Sequence, residues 1–158
     1  MDWFFELITN PFLLTGTSSW LIAQVLKTII HMIVTKKFDI NRLVGDGGMP
    51  SGHSATVTSL AVFSALQCGA DSFEFAVTAI LAIIVCHDAM GVRQETGKQA
   101  VFLNELMDHF KTLKTLDMKA FKFTEVELKE FVGHTPWQVM AGIVLGVANA
   151  FLMYYIIL

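Results

Sequence analysis

The hydrophobic residues of this chain are concentrated in four long segments, which are separated by polar stretches of unequal length. A helix needs about 17–25 largely apolar residues to cross the hydrocarbon core of a bilayer. The pattern therefore predicts membrane spans over about 19–35, 50–70, 73–92 and 136–158. Residues 93–133 form an extended hydrophilic stretch whose apolar positions recur with helical spacing, which predicts an amphipathic segment.

Composition also indicates a membrane protein. Hydrophobic residues make up 54% of the 158 residues and charged residues 16%, below the roughly 25% of a typical soluble domain. We therefore predict an all-α integral membrane protein, a single domain over 1–158 with a bundle of about four transmembrane helices and short interfacial helices. Cys68 and Cys86 lie in apolar segments without partners at metal-ligand spacing, so we predict no disulfide, metal or cofactor. The net charge of −3 does not indicate a nucleic-acid partner.

The N-terminal residues predict a separate short element. Residues 2–14 are rich in apolar side chains but are interrupted by Pro11 and Gly16, which favours an interfacial helix over a span. Ser18 or Ser19 is then the expected N-cap of the first span. These first residues lack the positive charge of a secretory leader, so we expect no cleavage.

Basic residues are distributed unevenly about the predicted spans. Ten of the eleven Lys and Arg residues fall in the 36–49 loop or in 93–133, and the eleventh, Lys27, lies inside the first span. By the positive-inside tendency the basic side is cytoplasmic, and both termini and the acidic turn 71–74 are outside.

Lys27 is a candidate functional residue. Gln24, Lys27 and His31 are three and four residues apart, so they share one face of the first span. An ionisable group at membrane depth is costly and usually faces a polar interior. The alternative interpretation is a lysine that extends its ammonium to the membrane interface.

The second span begins with a stretch that can bind an anion. Proline suits the first helical position, so a helix that begins at Pro50 would direct the N–H groups of Ser51, Gly52 and His53 toward an anion. His53 would stand beside that anion to give or take a proton. The alternative is an ordinary capped helix start with a histidine that faces solvent.

The fourth span begins with a similar pattern. Thr135 is the expected N-cap, Pro136 the first helical residue and Gln138 the reciprocal partner of a capping box, with His134 just outside the helix end. Gln138 is then either only a cap or also a neighbour of the histidine.

The predicted topology brings these helix starts together. The second and fourth spans both begin on the basic side, and the first and third bring Lys27 and the turn from Asp88 to Arg93 to the same level. Two histidines, cations and two helix N-termini are the components that transfer a phosphoryl group without a metal. One imidazole attacks phosphorus and the other protonates the leaving oxygen.

Three blocks of residues carry a family resemblance. Pro50-Ser51-Gly52-His53 resembles the second signature of the type 2 phosphatidic acid phosphatase and vanadium haloperoxidase superfamily, and the block from Gly133 to Gln138 resembles the end of its third signature. Together with the block from Asp88 to Arg93, they are similar to the divergent bacterial and plastid branch of that superfamily. The resemblance implies a bacterial cytoplasmic membrane or a plastid membrane.

The resemblance also implies roles for individual residues. His134 corresponds to the nucleophile that attacks phosphorus and His53 to the acid that protonates the leaving group. Ser51 and Gly52 correspond to phosphate ligands. The expected catalytic residues are therefore His134, His53, Asp88 and Gln138. The expected substrate-binding residues are Lys27, Ser51, Gly52 and Arg93.

The sequence departs from the superfamily signatures at three points. The arginine six residues before the nucleophile is replaced by Leu128, for which Arg93 is the expected substitute. The aspartate four residues after it is Gln138, so either Gln138 or Asp88 orients the imidazole. The lysine–arginine–proline pattern of the first signature is missing, because Leu43 follows Arg42. Lys27 is the expected phosphate ligand in its place, and Lys36 is the alternative.

The expected function is a vanadate-sensitive, metal-independent phosphatase of lipid phosphates at the cytoplasmic face, with phosphatidylglycerophosphate as the first candidate substrate. Undecaprenyl diphosphate and phosphatidic acid are the alternatives. A second hypothesis is a non-catalytic membrane protein that binds lipid phosphate or anchors a partner through residues 94–133. Haloperoxidase chemistry is not expected of a compact bundle of spans, and a homodimer is compatible with its thin polar interior.

Overall fold

The structure, a computed structural model, describes residues 2–36, 48–112, 128 and 133–157, apart from the side chains of 93 and 110–112. In these ranges the chain forms helices and no strand, so the predicted all-α membrane fold is confirmed. The helices in chain order are α1 (Asp2–Ile8), α2 (Pro11–Thr35), α3 (Gly52–Cys68), α4 (Phe73–Met90), α5 (Val92–Thr112) and α6 (Pro136–Ile157).

The first long helix begins earlier than predicted. Pro11 is the first residue of α2, and the side chain of its N-cap, Asn10, accepts hydrogen bonds from two backbone N–H groups of the first turn at 2.9 and 3.2 Å. Proline therefore starts this helix instead of interrupting it, because its missing N–H would have no partner there. The prediction that Ser18 or Ser19 caps the span is wrong, since both lie inside α2.

The start of α3 also differs from the prediction. Ser51 is the N-cap, its hydroxyl accepts the Ser54 N–H at 3.3 Å, and the helix begins at Gly52. The prediction of a helix that begins at Pro50 is therefore wrong by two residues. The reason is that a serine hydroxyl satisfies an N–H of the first turn, which proline at the first position cannot do.

Helix α3 lies at the centre of the bundle. It packs against α2, α4 and α6, while α6 also contacts α2 and α4. Two glycines of α6 allow the closest approach: a Cβ at Gly142 would lie 2.5 Å from the Ser51 carbonyl oxygen, and one at Gly146 would lie 2.5 Å from that of Ala55. Small residues of this kind let membrane helices pack backbone to backbone.

A buried polar cluster joins the helices farther along α6. The side-chain amide of Asn149 donates to the Thr15 carbonyl at 3.0 Å and lies 3.1 Å from the Ser18 hydroxyl and 3.0 Å from the Ser59 hydroxyl. Asn149 is about 20 Å from the start of α6 at 1.5 Å per residue. This cluster therefore fixes α2, α3 and α6 to one another far from the candidate histidines.

Among the described residues, three stretches are long and apolar enough to cross a membrane: Pro11–Thr35, Phe73–His109 and Pro136–Ile157. The first is α2, the second contains α4 and most of α5, and the third is α6. Helix α3 has only 17 residues and lies among the others, so its crossing of the bilayer stays a prediction. Large apolar side chains cover the outer face of α4, including Ile80, Ile83 and Ile84, as expected of a surface that faces lipid.

Candidate functional site

Two backbone hydrogen bonds bring the three sequence blocks together. The N–H of Ser51 donates to the Gln138 carbonyl at 2.9 Å, which joins the start of α3 to the first turn of α6. The N–H of His134 donates to the Ala89 carbonyl at 3.0 Å, which joins the same region to the end of α4. Two helix N-termini and one helix C-terminus therefore meet at one end of the bundle.

His53 and His134 face each other at this end. Their ring centroids are 6.4 Å apart and the ring planes are inclined by 56°. His134 is buried, with 5% of its surface exposed, whereas His53 is exposed in the first turn of α3. Near-attack contacts and hydrogen bonds are each about 3 Å long, so one phosphate group between the rings can contact both.

The side chain of Gln138 has two partners near the start of α6. Its Oε1 accepts the Thr135 N–H at 3.0 Å and lies 3.1 Å from His134 Nδ1, while the Gln138 N–H donates to the Thr135 hydroxyl at 3.4 Å. The predicted capping box is therefore formed. The same oxygen that caps the helix also contacts the histidine.

This arrangement determines the tautomer of His134. The Thr135 N–H can donate only to the amide oxygen, so Oε1 is the atom that faces His134 Nδ1. An acceptor at that position requires a proton on Nδ1. In the neutral ring, Nε2 is then the unprotonated nitrogen.

Lys27 lies beside the start of α3. Only 8% of its surface is exposed, and its ammonium is 3.7 Å from the position that a Cβ at Gly52 would occupy. A buried lysine does not fit the interpretation of a side chain that extends to the interface. Because the N-terminus of α3 and the ammonium both attract negative charge, this corner of the bundle is electropositive.

Ser51 has a different place from the one predicted. The Ser51 N–H bonds to the Gln138 carbonyl, so this N–H group does not face the candidate anion site. The fully buried Ser51 hydroxyl accepts from both the N–H and the hydroxyl of Ser54. The Ser51 hydroxyl retains one proton to donate. The backbone N–H groups of Gly52 and His53 lie in the first turn of α3, at the electropositive end of that helix.

Asp88 and Lys36 lie at the C-terminal ends of two helices, and the side chains of the remaining predicted cations fall outside the described residues. Asp88 is half-buried in the last turn of α4, next to Ala89. Lys36 is an exposed residue at the C-terminus of α2. Arg93 lies in the first turn of α5, but its side chain and all of Arg42 are outside the described part of the structure. Among the described residues, no group of His, Cys, Asp and Glu could hold a metal ion.

Leu128 occupies the position where the superfamily has an arginine. It is exposed, and its backbone pairs with the side chain of Asn104 in α5 through two hydrogen bonds of 3.0 and 3.2 Å. A cation for the site must therefore come from another position.

Trp20 belongs to this region and was missed by the sequence analysis. Its indole Cδ1 and Nε1 lie 3.5 and 3.8 Å from the Cβ position of Gly52, next to the Lys27 ammonium. Trp20, Gln24 and Lys27 are four and three residues apart, so their helical spacing was a usable signal. Gln24 is also buried, and its Oε1 has no hydrogen-bond partner among the described residues.

Taken together, the helices and the paired helix starts define a helical membrane protein with its chemistry-bearing side chains at one end of the bundle. Residues 8–149 match the model of the Divergent PAP2 family, and the chain belongs to that family. It is 40% identical over 154 residues to the uncharacterized membrane protein YuiD of Bacillus subtilis (strain 168), over 95% of this chain and 98% of that protein. The resemblance drawn from the sequence blocks is thus confirmed. No solved structure matches the chain.

Proposed function

We propose that this protein is a metal-independent lipid phosphatase that hydrolyses phosphate esters through a phosphohistidine on His134. The observation that carries the proposal is the contact of His134 Nδ1 with Gln138 Oε1, 3.1 Å long, opposite the His53 ring. It places the proton of the neutral ring on Nδ1, so Nε2 is the unprotonated nitrogen that would attack phosphorus. Membership of the Divergent PAP2 family supports phosphatase chemistry of this kind.

The reaction has two steps. In the first, Nε2 of His134 forms a bond to phosphorus, the bond from phosphorus to the ester oxygen breaks, and His53 gives its proton to the leaving oxygen. In the second, neutral His53 accepts a proton from water, whose oxygen attacks phosphorus and breaks the N–P bond. The products are the alcohol, inorganic phosphate and the original enzyme.

Positive groups around the start of α3 stabilise the charge that moves during these steps. The Lys27 ammonium and the N–H groups of Gly52 and His53 would hold the equatorial oxygens of phosphorus. The Ser51 hydroxyl and Arg93 are the further ligands that we propose. Gln138 would act as the orienting residue, with Asp88 as the alternative.

The membrane setting suggests a lipid substrate. A site at the helix ends on the basic side would lie at headgroup level on the cytoplasmic face, with both termini outside. The hydrocarbon chain of the substrate can then stay in the bilayer. Phosphatidylglycerophosphate is the first candidate because it suits a cytoplasmic site, and undecaprenyl diphosphate and phosphatidic acid are the others.

Phosphate release from these lipids by purified protein in detergent tests the proposal. We expect release by the wild type, inhibition by vanadate and an acid-labile phosphoenzyme, all lost in His134→Ala. His53→Ala should be strongly impaired, whereas His109→Ala, which removes an exposed histidine of α5, should be fully active. Equal release by the wild type and His134→Ala would refute the mechanism.

A non-catalytic lipid-phosphate receptor is the second candidate. The observation that favours it is the exposed Leu128 at the arginine position, together with a neutral Gln138 at the aspartate position. Such a receptor would bind lipid phosphate without turnover and would not form a phosphoenzyme. Chemical cross-linking in the membrane would test the proposed homodimer separately.

A further inference from the structure

An apolar cavity adjoins the candidate site on the side of His53. It has a volume of about 320 Å³ and is lined by residues of three helices: Thr17 and Trp20 of α2, His53, Thr56 and Val57 of α3, and Val85 of α4. This volume is at the lower end of the roughly 300–1,000 Å³ of small-molecule sites. His53 therefore stands between His134 on one side and this cavity on another.

The cavity is apolar although two threonines line it. The Thr17 hydroxyl donates to the Leu13 carbonyl at 2.7 Å, and the Thr56 hydroxyl donates to the Gly52 carbonyl at 2.8 Å. Each hydroxyl is thus bonded to its own helix. The proton of each hydroxyl is therefore not available to a ligand, and the apolar lining surface suits hydrocarbon.

The packing of the helices leaves this cavity open along one side of α3. Within the described ranges, no Cα atom of α2 lies within 8 Å of one in α4, while both helices pack against α3. Side chains of α2 and α4 form the walls of the cavity and those of α3 its floor, which makes it a groove between α2 and α4. On α3, Leu60 is half-buried one turn beyond His53, Thr56 and Val57 on the same helix face.

We propose that this cavity binds the first carbons of the alcohol that leaves, so that the protein acts best on phosphates attached directly to a hydrocarbon chain, such as prenyl or long alkyl monophosphates. The inference rests on the proposed function. If His53 protonates the leaving oxygen, that oxygen lies next to His53, and the carbons bonded to it continue into the adjoining cavity. The groove then leads the rest of the chain between α2 and α4 into the bilayer.

The same argument ranks the candidate lipids. In phosphatidylglycerophosphate, the carbons next to the leaving oxygen carry a hydroxyl and then a second phosphate. A hydroxyl or a charge in an apolar cavity costs free energy unless a hydrogen bond replaces its water. A prenyl monophosphate has no polar group at these positions and is expected to be the better substrate.

The test is a chain-length series of n-alkyl phosphates from ethyl to tetradecyl. The cavity holds roughly ten methylene-sized groups, at about the 30 Å³ that a water molecule occupies in the liquid. We expect kcat/KM to rise about twofold for each methylene group that is partly buried and about fourfold for each that is fully buried. The rise should level off near decyl phosphate. Farnesyl phosphate should be hydrolysed with a higher kcat/KM than phosphatidylglycerophosphate.

Two substitutions fill the cavity from different helices. Val57→Trp and Val85→Trp should abolish the gain with chain length, measured in each protein as the ratio of kcat/KM for decyl phosphate to kcat/KM for ethyl phosphate. Ile84→Trp is the matched control, because Ile84 is 58% exposed beside Val85 on α4 and does not line the cavity. Comparison among these proteins removes the effect of substrate partition into detergent.

The outcomes separate the inference from the function on which it rests. Unchanged chain-length dependence in both cavity variants, or a preference for phosphatidylglycerophosphate, would overturn the inference while phosphatase activity stands. Release from no substrate would refute the proposed function. In that case, calorimetric binding of alkyl phosphonates, which are not hydrolysed, still tests whether the cavity binds an alkyl chain. Affinity that rises with chain length and falls in Val57→Trp supports the inference. Affinity that is independent of chain length refutes it.

Discussion

Replacement of Gly142 by alanine should disturb the packing of α3 against α6 and thereby lower both stability and turnover. A Cβ at this position would lie 2.5 Å from the Ser51 carbonyl oxygen and 3.0 Å from the Ser54 Cβ, whereas ordinary contacts begin near 3.4 Å. The starts of α3 and α6 must therefore separate by about 0.9 Å. Overpacking of this kind typically costs about 1–3 kcal/mol.

The same separation should reduce turnover. The Ser51 N–H and the Gln138 carbonyl, now 2.9 Å apart, hold His53 and His134 at their present distance. A misplacement of about 1 Å can cost about 100-fold in rate. We expect Gly142→Ala to lower both the thermal unfolding temperature in detergent and kcat for phosphate release, the latter by about that factor.

Gly16→Ala is the control for this prediction. A Cβ at Gly16 would lie 3.6 Å from the Thr56 Cγ2, an ordinary contact, and alanine is the better helix former. This variant should therefore be at least as stable and as active as the wild type. If Gly142→Ala matched it in both measurements, the close approach of α3 and α6 would not hold the site.

Four further substitutions separate chemistry from structure. Lys27→Met should reduce kcat/KM for phosphate release by about 10²–10³, as loss of one transition-state donor does, whereas a lysine that only extends to the interface would give no change. His53→Ala should reduce kcat/KM, which reports the phosphorylation step, by about 10²–10⁴ on alkyl phosphates but far less on p-nitrophenyl phosphate, whose leaving group needs no proton; equal losses of kcat/KM would refute the acid role. Gln138→Leu should cost about 1–3 kcal/mol in transition-state stabilisation measured from kcat/KM, while Gln138→Glu keeps an acceptor and most activity; if Asp88→Asn were the more damaging change, Asp88 would be the orienting group. Asn149→Ala should lower the free energy of unfolding by about 1 kcal/mol, at roughly 0.6 kcal/mol for each of the two protons that its amide donates between helices, with kcat unchanged; a large loss of kcat would show that the cluster reaches the site.

Local signals in the sequence predicted the parts of the fold that depend on neighbouring residues. The start of α6 was predicted correctly because Thr135, Pro136 and Gln138 together form a complete capping box. The start of α2 was not predicted, because Pro11 was interpreted as an interruption although Asn10 caps the helix that Pro11 begins. The start of α3 was not predicted, because the preference of proline for the first helical position was placed above the capping strength of Ser51. The meeting of the two histidines followed from the alternating direction of the helices.

Other features depend on tertiary packing and could not be read from local pattern. Gly142 and Gly146 are visible as a pair of glycines four residues apart, but only the structure identifies α3 as the helix that they approach. The cavity beside His53 requires side chains from three helices. Its apolar character depends on the rotation of Thr17 and Thr56 toward their own backbones, which residue type alone does not indicate.

The two interpretations of Gln138, a helix cap and a neighbour of the nucleophile, describe one atom. Oε1 must accept from Thr135 to complete the start of α6, and the same requirement turns it toward His134 Nδ1. An uncharged amide is sufficient for this task, because orientation needs an acceptor and not a negative charge. The amide does not compensate positive charge on the imidazole. In the proposed mechanism, glutamine in place of aspartate should therefore affect the stability of the phosphohistidine more than the placement of His134.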